Sequence, residues 1–343
     1  MSKIGEQTIK FEKDIYIIST SSVVGKKENQ GPLAGSFDIV IEDIMFNQDS
    51  WEKAETSMLL TSLELAIKKA NLKDSDIDYI LSGDLINQST SSVFAIRDLA
   101  NGQNKNPRPY IGLFSACSVM GLGMGIGSMF LESGFGNNVL VGASSHFSTA
   151  ERQFRFPIEL GSQRTPTAST TVTGAAGVVL SANGKNSDPR VRTSTTGKIV
   201  DLGITDPANM GAAMAPAAVD TLIAHFTDLG IQPDYYDCIA TGDLGHVGHE
   251  IVVNLMEKAG YEMGNRYVDC GIMIYDKETQ DTHNGGSGPG CSGVTFAGNL
   301  YKKLINKQIK KLLFVPTGAL MSPMTVQQKE SIPGIAHAVS IEI

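Results

Sequence analysis

An internal duplication constrains this chain more than any other feature of its sequence. Ile77 to Asp84 (IDYILSGD) is a β-rich run ending in Gly-Asp, and Tyr236 to Asp243 (YDCIATGD) repeats it 159 positions later. Each copy follows an amphipathic helical pattern. The first is Glu55 to Asn71, with Leu59, Leu63, Ala66, Ile67 and Ala70 at helical spacing, and the second is Ala217 to Leu229. Downstream, Val139 to Ala143 (VLVGA) matches Leu313 to Thr317 (LFVPT), and Gly174 to Ala182 (GAAGVVLSA) resembles Gly334 to Glu342 (GIAHAVSIE). Four matches in one order mark a repeat. Val- and Ile-rich strands alternating with helices predict parallel sheets wrapped by helices, and duplication predicts two such sheets stacked in pseudo-symmetry. The polar, turn-prone stretch Asn183 to Pro189 places the junction, with an N-terminal half 1–186 and a C-terminal half 187–343. The length agrees, since 343 residues are about twice a usual single domain.

A net charge of −8 argues against nucleic-acid or anionic-membrane binding by bulk charge, so an anionic ligand must be held locally. Cys117, Cys238, Cys270 and Cys291 form no close pair, which suggests neither a zinc site nor a disulfide framework and fits a reducing compartment. Met1 to Glu12 carries no apolar core of a secretory leader, and no later stretch runs to eighteen uncharged apolar residues. Association with a membrane would therefore need a partner.

Tyr110 to Leu131 reads as strand, sharp turn and Gly- and Met-rich helix, with Cys117 at the turn. A helix N-terminus favours a thiolate, which would make Cys117 a nucleophile; equally, free cysteine often only fills buried space. Cys291 lies 174 positions on, in the same place of the second repeat. His246 and His249 follow the second Gly-Asp strand at i, i+3 spacing, but no acidic third ligand is implied and no metal site is expected. His225 lies within an amphipathic helix and reads as structural. The run Asn284 to Gly293, which contains five glycines, either exposes NH groups to an anion or makes a tight turn. Gly142 to Arg164 follows a strand at the carboxyl edge where α/β proteins bind ligands. Its Arg152, Arg155 and Arg164 either hold a carboxylate or pair with Glu151 and Glu159. This connection spans 145–173 against 319–333 in the second half, an insertion of the kind that builds a lid or a subunit contact.

A strand-turn-helix cysteine in a duplicated five-stranded α/β chain resembles the thiolase and ketoacyl-synthase superfamily. The strings FNQDSWEKAE (46–55), SGDLINQ (82–88), SSHFSTAERQFRFPIELG (144–161), KIVDLGITDPANMGAAMAPAA (198–218) and TGALMSPMTVQQKESIPGIAH (317–337) further resemble its stage V sporulation AD family. The resemblance implies a thiolase-like α/β fold: two pseudo-symmetric βαβαβαββ halves in layered α-β-α-β-α architecture. It implies a noncatalytic subunit that binds dipicolinic acid (pyridine-2,6-dicarboxylate), free or as its calcium chelate. Its partners would be the other SpoVA subunits at the inner spore membrane, in uptake during sporulation and release in germination. It also implies a cytoplasmic or forespore location, peripheral to that membrane, and a homodimer pairing the strand around Arg108 to Gly112.

Against the enzymes of the superfamily, the second thiolase cysteine corresponds to Thr317-Gly318-Ala319, and the Gly-His-Pro of thiolases falls near Gly286 to Cys291, where no histidine follows. The ketoacyl-synthase histidine corresponds to His246. Only Cys117 survives clearly, as a vestigial nucleophile. The alternative is a working acyltransferase using a coenzyme A thioester with Cys117 as acyl carrier; a third reading is a scaffold with a vestigial pocket. A flat aromatic dianion needs hydroxyl or NH donors, a cation or metal, and apolar faces. The expected lining is Ser115, Cys117 and Ser118, then Ser144, Ser145 and His146, then Gly286, Ser287 and Cys291, with Arg152, Arg155 and Lys198 as cations.

Overall fold

The computed structural model describes residues 2–101, 107–154 and 164–343. Ten strands of its main sheet fall into two units of identical topology. In the first, β1 (Thr8–Gly25), β2 (Tyr79–Gly83), β3 (Tyr110–Gly112), β4 (Asn138–Ser145) and β5 (Gly174–Ser181) lie in the order β3-β2-β4-β5-β1. In the second, β6 (Arg190–Thr195), β7 (Cys238–Thr241), β8 (Tyr267–Asp269), β9 (Lys311–Val315) and β10 (Ala338–Glu342) repeat it as β8-β7-β9-β10-β6. In each unit the fifth strand runs antiparallel to its neighbours and the others pair parallel. The long β1 joins the units: Tyr16 to Val24 pairs with β5, while Thr8 to Lys10 and Ile15 to Tyr16 pair with β6. The expected sheets are thus continuous along one edge.

Side-chain alternation along the strands builds the layers, because successive residues of a strand face opposite ways. Val139, Val141, Val178 and Leu180 face a shared core with Leu312, Phe314, Val339 and Ile341 of the other unit. Their strand neighbours Leu140 and Val179 face outward under α1 (Trp51–Lys69) and α2 (Thr90–Asn101). Leu313 and Val315 likewise face the helices α5 (Met210–Leu229) and α6 (Gly245–Lys258). The shared core holds α3 (Val119–Glu132) and α8 (Pro289–Thr295), so the order is helix, sheet, helix, sheet, helix.

The α3 sequence VMGLGMGIGSMFLE suits a helix pressed on both sides. A Cβ at Gly123 would lie 2.6 Å from Val141 of the first sheet, whereas one at Gly125 would lie 2.5 Å from Ser194 of the second. Side chains there would hold the sheets apart, and their absence brings the start of α3, with Cys117, into reach of both halves. The insertion carries α4 (Phe147–Phe154) before it leaves the described residues.

Candidate functional site

Four chain segments converge on one carboxylate. Asp243 follows β7 through Gly242, where a Cβ would stand 2.7 Å from the backbone nitrogen of Thr317. Glycine there lets the strand end close against the segment Thr317–Ala319. Thr317 Oγ1 donates to Asp243 Oδ1 at 2.8 Å. Ser287 Oγ donates to Oδ2 at 2.8 Å, and Gly288 N–H donates to the same oxygen at 3.1 Å. Gly288 has φ +100°, and a Cβ on it would strike Ser145 Oγ. Cys117 completes the group: its thiol adjoins Asp243, whose charge acts on it, and its sulfur lies 3.9 Å from Ser287 Oγ. Ala116, immediately before it, sits in the left-handed region at φ 44°, a strained backbone of the kind found at functional turns.

Burial pushes the Cys117 thiol well above its ordinary range, and the adjacent Asp243 charge adds to that. Of the two readings left open for Cys117, burial favours the neutral thiol over the thiolate. A terminus favours an anion by at most about 2 kcal/mol, and desolvation with a neighbouring carboxylate outweighs it. Asp243 itself is buried and pushed up to about 6, the donated hydrogen bonds holding it below what burial alone would produce. Nearby Asp269 accepts from the backbone of Leu244, Gly245 and Gly271 and from Thr241 Oγ1, fixing the turn after β7.

A second chain of hydrogen bonds adjoins the thiol. Gly197 N–H donates to His337 Nδ1 at 3.2 Å, so the His337 proton lies on Nε2, 3.1 Å from Ser115 Oγ. Ser115 Oγ is 2.6 Å from Ser118 Oγ, which donates back to the Ser115 carbonyl. Each proton is assigned and the relay closes on a carbonyl, leaving His337 neutral, with burial pushing its pKa down to about 4.

Ser115, Cys117, Ser118 and Ser287 thus come together, with Gly286 and Cys291 behind them: a Cβ at Gly286 would stand 3.2 Å from Cys291 Sγ, and that thiol lies 3.6 Å from the Gly242 carbonyl. Ser145 reaches the same group, accepting from Gly290 N–H at 3.2 Å while donating to Val172 O. Ser144 turns the other way, to Glu55. His146 bonds the Ile44 carbonyl through Nε2. Arg152 pairs with Glu52 over the Trp51 ring, and Lys198 pairs with Glu6 at 3.4 Å. Arg155 lies outside the described residues. His246 sits on α6 near Lys277 and His249, and Asp243 rather than this histidine adjoins the thiol. Asp243, Thr317 and His337 join the site without being expected ligand residues; the repeated Gly-Asp pair is the sequence signal for the first. Among the described residues, no group of His, Cys, Asp and Glu is arranged to hold a metal ion.

The family model for stage V sporulation protein AD matches residues 5–342. Stage V sporulation protein AD of Bacillus subtilis strain 168 is 42% identical over 342 residues, covering 100% of this chain and 98% of that protein. Among solved structures, acetamide-bound OleA of Xanthomonas campestris aligns at 15% identity with a TM-score of 0.61, covering 98% of this chain and 100% of that one. The 3-oxoacyl-[acyl-carrier-protein] synthase III of Aquifex aeolicus aligns at 13% identity with a TM-score of 0.56, covering 96% and 100%. These structural likenesses are of fold. With a thiolase-like architecture and a family match from end to end, the chain belongs to the stage V sporulation protein AD family.

Proposed function

We propose that this sporulation protein is a noncatalytic subunit that binds dipicolinic acid and serves the SpoVA complex of the spore membrane, in uptake during sporulation and release in germination. The observation that carries the reading is the setting of Cys117: a buried thiol beside the Asp243 carboxylate and the Ser287 hydroxyl, at the place where an acyl-transfer scaffold needs a thiolate. A thiol held neutral in this way does not start thioester chemistry. Backbone NH groups and serines of the Gly-rich run suit carboxylate recognition. No helix among the described residues is long and apolar enough to cross a membrane, so attachment at the inner spore membrane would come through partner subunits. Calcium would enter bound to the ligand, and the reading needs no resident cofactor. The open edge of β3 is the surface offered to a second copy.

Calorimetric titration with dipicolinate, with and without calcium, tests this reading. Benzoate and benzene-1,3-dicarboxylate serve as controls that lack one carboxylate or the ring nitrogen. Selective, saturable heat supports it; no heat or thermal shift at millimolar dipicolinate with folded protein rejects it. The acyltransferase alternative predicts an acyl adduct on Cys117 after incubation with acetyl-coenzyme A, read by intact mass.

A further inference from the structure

The donors that a carboxylate ligand would use are already engaged. Ser287 Oγ–H, Gly288 N–H and Thr317 Oγ1–H all point at Asp243, and the Cys117 thiol adjoins it. Ser115 and Ser118 are committed to their own closed relay with His337. Asp243 therefore stands as an internal carboxylate in the cradle that a ligand carboxylate would fill.

The titratable and charged groups facing it are Cys117 from the start of α3, Cys291 from α8, and Asp269 and Cys270 around the start of α7 (Cys270–Ile274). None of these is a cation. A dianion entering the cradle meets a carboxylate with no opposing charge among these groups, and two carboxylates sharing one site cannot both stay ionised at neutral pH. The conflict is removed when Asp243 takes a proton: its claim on the Ser287 and Gly288 donors weakens, and it becomes an O–H donor to the incoming carboxylate.

We propose that ligand binding at this site takes up one proton from solvent onto Asp243, so that Asp243 couples occupancy to pH. This rests on the dipicolinate reading above. The bond formed is an O–H on the Asp243 carboxyl, and the proton comes from water or buffer. The group's position near 6 in the free protein fits the coupling, because it is ionised at pH 7.5 and costs little to protonate.

The test is calorimetry of the full-length protein with dipicolinate at pH 7.5 in buffers of different ionisation enthalpy, which counts protons exchanged per ligand bound. Close to one proton taken up by the wild type, and none by Asp243→Asn, is expected. Wild-type affinity should then fall about tenfold per pH unit above 7, while that of Asp243→Asn stays flat. Saturable binding with no proton uptake in the wild type overturns the proposal and leaves the ligand reading standing. Uptake that persists in Asp243→Asn also overturns it, assigning the proton to the ligand or another group. Absence of binding to either protein between pH 5 and 8 removes the ligand reading and this proposal together. Should Asp243→Asn fail to fold, the wild-type proton count and its decline toward zero at pH 5 decide the matter alone.

Discussion

The two Gly-Asp pairs occupy the same place in the two halves and do different work. Asp84 turns back on its own unit: one carboxylate oxygen accepts from Ile86 N–H at 2.8 Å and the other from Ser92 N–H at 2.7 Å, fixing the entry to α2. Asp243 reaches out of its turn to bond Ser287, Gly288 and Thr317, and it lies beside the Cys117 thiol of the other half. Duplication supplies two equivalent strand ends, and only one faces the start of a helix from the opposite unit. The candidate site is thus built from contacts between halves, while the equivalent residue inside a half serves the frame.

The frame can be broken most severely at the glycines before those aspartates. A Cβ at Gly83 would stand 2.2 Å from the Leu113 carbonyl oxygen, a backbone atom that cannot swing away. Gly83→Ala is expected to destabilise by about 3 kcal/mol through overpacking, lowering the thermal midpoint by roughly 6 °C or more. Gly242→Ala meets backbone at 2.7 Å and should lower it less, while disturbing the Thr317 contact to Asp243. Equal melting temperatures for Gly83→Ala and wild type would show that the first Gly-Asp turn is not packed as described.

Each half also holds a buried acid whose neutral form the fold favours. Burial, with the nearby Asp84 charge, pushes Glu55 from 4.5 up to about 8. Thr149 Oγ1 donates to Glu55 Oε2 at 2.7 Å and Ser144 Oγ to Oε1 at 3.0 Å, and these bonds hold the shift below what burial alone would produce. A raised acid means that the folded state binds more protons than the unfolded one between the two pKa values, so stability falls as pH rises through that window. For Asp243 the window closes near pH 6; for Glu55 it continues to about 8. Glu55→Gln should therefore remove a decline of about 2 kcal/mol between pH 6 and 8, seen in urea unfolding, and Asp243→Asn should leave that stretch unchanged. A wild-type stability that rises over pH 6 to 8 would contradict a neutral Glu55.

The two equivalent cysteines provide a finer comparison. Burial pushes both thiols well up, and Asp243 adds to the shift at each. At pH 7.5, alkylation of native protein by iodoacetamide is expected to be more than about tenfold slower at either residue than at an exposed cysteine. Asp243→Asn should accelerate Cys117 more than Cys291, because the Asp243 charge ranks directly after burial at Cys117 and behind Cys270 at Cys291. Rapid labelling of Cys117 in the wild type would revive the thiolate and the acyl-transfer alternative with it.

Much of this frame is readable from residues because it is periodic. Leu312 to Val315 alternate between two cores, as a strand buried on both faces must, and the glycines of α3 announce a helix between two sheets. The position of Cys117 is also readable, since strand, turn and helix are local. Its protonation is not, because the burial and the Asp243 partner that decide it come from the second half. Ser144, Ser145 and His146 show the limit within three residues. They look like one lining, yet they follow the strand's alternation, Ser144 toward Glu55 and Ser145 toward the Gly-rich run, and His146 turns to Ile44 beyond the strand end. The three-residue step from His246 to Asp243 is similar: local pattern marks a strand end, and only the packed pair of halves selects the side chain that meets the thiol.

The smallest effects should come from the cations proposed as ligand anchors by proximity in sequence. Arg152 is half exposed, paired with Glu52 and lying over Trp51, and Lys198 holds Glu6 from an equally exposed position. Exposed pairs of this kind contribute about 0 to 1 kcal/mol. Arg152→Ala and Lys198→Ala are accordingly expected to shift stability by less than about 0.5 kcal/mol, and calorimetry should find dipicolinate affinity within about twofold of wild type. The comparison is sharp because a cation at the binding centre would behave otherwise: removing one partner of a desolvated charged hydrogen bond costs about 2 to 5 kcal/mol, well over tenfold in affinity. A tenfold loss in Arg152→Ala would move the anion-receiving surface to α4 of the first half, and the cradle around Asp243 would then no longer be the place where the two halves meet the ligand.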